Sequence, residues 1–271
     1  MSLGSHTKTS GAKRLGRASE LARAVVPLRL LMRIRRAFLT WEVINKRGRR
    51  EQVMRGLSLL VRPGDFVADI GANLGAYALE LSRLVGPYGR VDSFEPILEN
   101  FKVLETVRRK RSLLNVHLHR AAISSSAGRR AMVIPKTDGF SGFYTAHLAR
   151  PGDDGEVETV EILTLDDLLR IHQRLDFIRA EVSGAELELI RGGPRVLTTS
   201  LPGLLLGIAR RNGVEVFASL KSLGYKPFVF TDHFEEVRGG FSAQTYLYFL
   251  LHPESKCWSF AQARGVLGNG V

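Results

Sequence analysis

Short apolar runs that end in glycine or an acid alternate through much of this 271-residue chain with stretches whose apolar residues recur every three or four positions. "FVADIG" at 66 to 71 has the length and the terminal glycine of a buried strand, and "AYALELSRLVG" after it has helical spacing that stops at Gly86-Pro87. "GRVDSFEP" predicts a second strand, "ENFKVLETVRRKRS" a helix with a polar face, and "NVHLHRAAIS" a third strand. Strand and helix in this order predict a parallel sheet with right-handed crossovers and helices on both faces.

The rhythm breaks at about 124–164. "RRAMVIP" and "VETVEIL" read as strands around a loop rich in Gly, Ser and Asp from Lys136 to Gly155, which is too long for a simple connection and reads either as a substrate loop or as a surface insertion. Alternation then resumes with "LDFIRAEVSG" (strand), "AELELIRGG" (helix), "LPGLLLGIA" (strand) and "VEVFASLKSLG" (helix). "YKPFVFTD" and "AQTYLYFLLHP" have no room for a crossover helix between them and are expected to pair antiparallel.

Ahead of this body lies "PLRLLMRIRRAFLTW", in which Leu30, Ile34, Phe38 and Trp41 share one helical face and Arg29, Arg33 and Arg36 the opposite one. Three readings of this basic amphipathic helix stay open: packing of the apolar stripe on the body, docking on an anionic membrane, or part of an organellar transit segment, since residues 1 to 19 are basic and Ser-rich. The organisation expected is a leader at 1–55, a domain at 56–253 with an insertion at about 124–164, and a tail at 254–271.

Charge sharpens this division. The net charge is +12, and residues 1 to 55 carry 14 Lys+Arg against 3 Asp+Glu, so the remainder is nearly neutral. A nucleic-acid-binding surface across the whole protein is therefore not expected. The single cysteine, Cys257, excludes an intramolecular disulfide, no Cys/His cluster has metal-site spacing, and no apolar run is long enough to span a bilayer. The expected location is cytoplasmic, peripheral at the inner face of a membrane if residues 19–45 dock there.

The chemistry concentrates at "VADIGANLG". A dinucleotide turn needs G-x-G-x-x-G, yet the frame from Gly71 places Asn73 at the second glycine and Ala76 at the third, so a side chain sits where a diphosphate needs bare backbone. S-adenosylmethionine has no phosphate; its ammonium and carboxylate suit Asp69 and the Gly71-x-Asn73-x-Gly75 turn. Glu95, at the end of the second strand and 24 residues after Gly71, is placed to accept hydrogen bonds from both ribose hydroxyls.

Taken together, "GDFVADIGANLGAYALELSRLVGPYGRVDSFEPILENFKVL", "AAIS", "LTLDDLL" and "FIRAEVSGAELELIRGG" resemble the FkbM-type methyltransferases from about Gly64 to about Gly193, and more weakly to about Pro253. The resemblance implies a Rossmann-like class I methyltransferase fold, mostly parallel with one antiparallel strand, and S-adenosylmethionine as methyl donor. It also implies O-methylation of a hydroxyl on a sugar, glycolipid or other small molecule, and it adds Ala122 to the donor site. At the fourth strand the family reads K-x-D-V-E-G-A-E, whereas this chain reads Arg179-Ala-Glu181-Val-Ser183-Gly-Ala-Glu186. One acid is kept, with longer reach, and the second is lost. Glu181 is the expected acceptor-side base, with His147 in the long loop as a second candidate. Donor binding without catalysis, and RNA methylation using the basic leader, are the alternatives.

Overall fold

The computed structural model describes residues 28–45, 51–136, 145–171, 174–238, 240–242 and 246–267. Residues 1 to 19, on which the transit reading rests, lie outside this set. The chain enters through helices α1 (Leu28–Asn45) and α2 (Glu51–Leu60). The body then runs β1 (Phe66–Ile70), α3 (Ala76–Val85), β2 (Arg90–Phe94), α4 (Leu98–Lys110) and β3 (Val116–His119). Four strands follow that belong elsewhere: β4 (Ala121–Ile123), β5 (Gly128–Pro135), β6 (His147–Leu148) and β7 (Gly155–Leu163). After the short α5 (Leu168–Ile171) come β8 (Phe177–Glu181), α6 (Glu186–Arg191), a π-turn at Val196–Ser200 and β9 (Gly203–Gly207). The remainder is α7 (Gly213–Ser222), β10 (Lys226–Phe230), β11 (Phe234–Glu236), β12 (Leu247–Leu251) and α8 (Lys256–Ala263).

The main sheet has eight strands in the order β11-β10-β12-β9-β8-β1-β2-β3. β3, β2, β1, β8 and β9 are mutually parallel, and β12 runs antiparallel to both β9 and β10. This is the class I methyltransferase architecture, with the short β11 added as a hairpin on β10. Because β1 and β8 lie in mid-sheet, both faces of each are covered, which is why their sequences are continuous apolar runs and not alternating ones. One core cluster, around Ile70, Ile178, Leu206 and Tyr248, packs on one face of the sheet. A second, around Val67, Tyr77, Leu205 and Phe249, packs on the other.

Local chemistry starts and stops the helices. α3 ends at Gly86, whose φ of 64° lets its N–H reach back to the Ser82 carbonyl. α4 finishes in Arg108, Arg109 and Lys110, matching cations to the negative end of its dipole. α8 begins at Ser255, whose Oγ accepts the Trp258 N–H at 3.0 Å. Lys256 then ties that helix to the lower edge of the sheet, donating to Asp65 at 2.7 Å and Asp176 at 3.0 Å.

Two expectations need correction. "NVHLHRAAIS" is not one strand: β3 stays in the main sheet, and after Arg120 the chain turns into β4, which pairs parallel with β7. The two strands expected in the insertion do form, as β5 and β7. β4, β7, β5 and β6 form a second, four-stranded sheet that carries its own apolar cluster of Met132, Ile134, Val160 and Ile162 against Ile97. The second correction concerns the leader helix. α1 packs on α4 through Leu39 and Val43, which meet Leu74, Val103 and Val107, with Arg36 set 3.6 Å from Glu99. The stripe of Leu30, Ile34, Phe38 and Trp41 points away from the body, each residue between 45% and 57% exposed. Packing of that stripe on the body is excluded by this arrangement.

Candidate functional site

β1 ends in a turn that only particular residues can make. Gly71 has φ of 71°, and a Cβ there would lie 2.2 Å from the Glu181 carbonyl oxygen, so a side chain would force β1 away from β8. The Gly71 and Ala72 N–H groups both donate to the Phe94 carbonyl at 2.9 Å, which holds the turn against β2. Asn73 follows with φ of 53°, a left-handed conformation that asparagine tolerates better than most residues. Gly75, with φ of 93°, lets the start of α3 approach Leu104.

Glu95 completes this side. Its carboxylate is buried and accepts the Asn73 N–H at 2.9 Å on one oxygen and the Ile97 N–H at 3.0 Å on the other, with the Asn100 amide at 3.5 Å. Burial, followed in weight by the nearby Asp69 carboxylate among the unfavourable influences, pushes its pKa up to about 7 despite the amide donors. Oε2, which accepts only the Asn73 N–H, keeps a lone pair, and the buried Asn73 Oδ1 has no partner among the described residues. Glu95 and Asn73 both line one cavity.

That cavity is bounded by the turn (Ile70, Gly71, Asn73), by Glu95 to Ile97, by Ala121 to Ile123, and by Glu181 to Ala185. Its far wall is the second sheet, through Arg130, Met132 and residues 146–150. The insertion thus closes the site.

Six of the eight residues singled out by sequence line the cavity: Gly71, Asn73, Glu95, Ala122, Glu181 and His147. Gly75 and Asp69 do not. Gly75 acts by packing, as above. Asp69 is fully buried behind the turn, where its Oδ1 accepts from Arg179 Nη1 at 3.1 Å. Asp69 thus anchors Arg179 from behind the turn. Arg179 also donates to the Gly71 carbonyl at 2.9 Å, stacks over the Tyr77 ring at 3.8 Å, and pairs with Glu181.

Glu181 keeps partial exposure to the cavity while one oxygen meets Arg179. It does not cap the following turn. That task falls to Glu186, which accepts the Gly184 N–H at 2.9 Å and is held by Asn212 at 2.6 Å. His147 sits on β6, and both ring nitrogens are engaged locally, Nδ1 with the Thr145 carbonyl at 3.0 Å and Nε2 with Asp153 at 3.2 Å. A base needs a free nitrogen, so His147 fits a wall better than a proton acceptor. His119 is structural, bonded to Asp92 at 2.6 Å and stacked on Phe94.

Sequence reasoning missed Arg130, Arg150 and Tyr246. The hydroxyl of Tyr246 lies near the Cγ of Glu181, both crowding the space where a Gly207 side chain would be. No local pattern marks these positions, because each reaches the site through pairing with a distant strand.

Residues 69–238 match the model of the methyltransferase FkbM domain. Methyltransferase sdnD of Sordaria araneosa is 28% identical over 155 residues, 47% of this chain and 60% of that protein, so the chain spans about three fifths of the curated relative it matches. Among solved structures, the methyltransferase FkbM of Methylobacillus flagellatus KT is 14% identical with a TM-score of 0.46, over 73% of this chain and 50% of that one. A SAM-dependent O-methyltransferase of Thermotoga maritima is 15% identical with a TM-score of 0.43, over 79% and 71%.

Proposed function

The chain belongs to the FkbM family of S-adenosylmethionine-dependent methyltransferases, and we propose that it methylates a hydroxyl of a sugar, glycolipid or other small molecule. The observation that carries this reading is the placement of Glu181 at the end of β8, on the same cavity as Glu95 and the β1 turn. Bound there, S-adenosylmethionine supplies a methyl group activated by its sulfonium. Glu95 and Asn73 hold the donor, offering acceptor oxygens to hydroxyl and ammonium donors, while Ala122 and Ile97 line the apolar side. Asp69 acts one step removed, fixing Arg179, which in turn fixes Glu181. A carboxylate oxygen of Glu181 accepts the proton of the acceptor hydroxyl. The second sheet covers the far side of the cavity.

Calorimetry with S-adenosylmethionine, S-adenosylhomocysteine and NAD tests the donor. Preference for NAD overturns the assignment. Turnover on a panel of hydroxylated acceptors tests the reaction, and donor binding with no transfer to any of them favours the binding-only alternative.

A second observation supports a peripheral membrane contact. No helix among the described residues is long and apolar enough to cross a membrane. The outward face of α1 nevertheless carries Leu30, Ile34, Phe38 and Trp41 beside the exposed Arg29 and Arg33, a combination that matches an anionic bilayer surface in both apolarity and charge. Sedimentation with mixed phosphatidylserine and phosphatidylcholine vesicles tests it. Wild type is expected to bind, more weakly at high salt, with about 1 kcal/mol from each arginine at the surface. Because the stripe is exposed, Ile34→Ser/Phe38→Ser leaves the fold intact and is expected to abolish binding; unchanged sedimentation of that variant refutes the contact.

A further inference from the structure

The wall of the cavity opposite the β1 turn carries a charge arrangement that the methyl-transfer reading does not use. β5 and β6 pair antiparallel with Met132 opposite Leu148 and Val133 opposite His147, and the Ala149 N–H continues the ladder to the Ala131 carbonyl at 2.9 Å. The same register, carried one residue further, sets Arg150 directly opposite Arg130. Strand alternation puts both on the side of Met132 and Leu148, the side that faces the cavity, and both arginines line it. Two guanidiniums at directly opposed positions, with Cβ atoms about 5 Å apart, repel each other.

Three carboxylates, Glu95, Glu181 and Glu188, line the same cavity, but none is paired with either arginine. Neither side chain has an ion pair or hydrogen bond among the described residues. Acids near them are taken: Glu158, opposite Met132, accepts from Arg120 and from the Leu98 N–H. Asp153 accepts from His147 and from the Arg150 backbone N–H. Arg129, by contrast, lies on the other face of β5, opposite Glu161. Two exposed guanidiniums without a direct acid partner, side by side on the rim of a cavity, can share a bound oxyanion, since each offers a planar fork of donors to a phosphate or carboxylate.

We propose that Arg130 and Arg150 bind an acidic group, phosphate or carboxylate, on the methyl acceptor. This rests on the donor site proposed above. The donor offers such a pair only its carboxylate, beside a sulfonium and an ammonium that two guanidiniums repel, so the pair is assigned to the other substrate and the test separates the two. The acceptor is accordingly an anionic hydroxylated molecule, such as a phosphorylated sugar or a sugar acid, anchored by its anion on the second sheet with its hydroxyl toward Glu181.

Titration of the full chain with inorganic phosphate and, separately, acetate, followed by melting temperature and calorimetry, tests the pair and separates the two oxyanions. Arg130→Gln and Arg150→Gln are each expected to weaken anion binding roughly 10- to 100-fold, the loss of a charge-assisted hydrogen bond. Arg129→Gln removes the same charge from the other face and is expected to bind as wild type. Without anion, the two variants should melt no lower than wild type, because the repulsion is relieved. Equal anion binding in all variants, an equal loss in Arg129→Gln, or a lower melting temperature without anion overturns the proposal. Donor affinity is measured in the same preparations. If donor binding falls with anion binding in the Arg130 and Arg150 variants, the anion is the donor's own carboxylate and the acceptor assignment fails. If wild type binds the donor but no anion, the acceptor class fails alone, and if it binds no donor, the underlying donor reading fails.

Discussion

Replacing Glu95 with glutamine tests the donor side at its most perturbed group. In the native protein burial raises the Glu95 carboxyl from 4.5 to about 7. Between those two pH values the native state holds a proton that the unfolded chain has already released, so the stabilisation from this group is complete below about pH 4.5 and is lost as pH rises through 7. At about 1.4 kcal/mol per pH unit the loss comes to about 3 kcal/mol. Glutamine carries no dissociable proton, so this slope disappears. The variant also loses one acceptor, leaving the Asn73 or Ile97 N–H facing an amide N–H, at a cost of roughly 1–3 kcal/mol. Wild type and Glu95→Gln are therefore expected to differ most at pH 5, with wild type more stable, and to converge toward pH 8. Urea denaturation across pH 5 to 8, with the slope against urea checked for constancy, measures the difference and cancels titrations common to both proteins. A constant gap between the two stability curves refutes the buried, raised carboxyl.

Other expectations follow from neighbouring contacts. Glu95→Ala should weaken donor binding by about 1.5–3 kcal/mol in calorimetry, as for hydrogen bonds to a charged group. Glu181→Gln should keep donor affinity and lower turnover roughly 10²- to 10⁴-fold, and full activity would remove its role as base. Arg179→Met removes the guanidinium that pairs with the buried Asp69, and should cost on the order of 3–5 kcal/mol in chemical denaturation. The Cys257 thiol is buried and pushed up to about 12, chiefly by desolvation, so iodoacetamide should label it only when the protein unfolds.

How far the sequence carried depended on how local each signal was. β1, β2 and β8 were readable because a strand buried on both faces must be a short apolar run, and because the turn after β1 requires glycine at 71 and 75. Glu95 was readable from its distance to that turn. The division of "NVHLHRAAIS" was not, since only Arg120 separates β3 from β4, and the second strand's partner, β7, lies some forty residues on. The same non-local pairing hid Arg130 and Arg150, which become neighbours only when β6 returns along β5. For α1, the sequence displayed the stripe, yet the body takes the other face, because Leu39 and Val43 fit α4 while Arg36 meets Glu99. The cation that holds Asp69 was likewise hidden, since Arg179 arrives from a strand 110 residues away.

The outward stripe of α1 also contains one of the chain's two tryptophans. Trp41 stands in the open, stacked on Phe38, whereas Trp258 lies against Lys226 and Phe228 in the body. The two indoles therefore emit from different surroundings: Trp41 at the red, solvent-relaxed end and accessible to iodide quenching, Trp258 further to the blue and shielded. The native chain thus carries its own optical reporter of what covers α1, with an internal reference that stays fixed as long as the body remains folded.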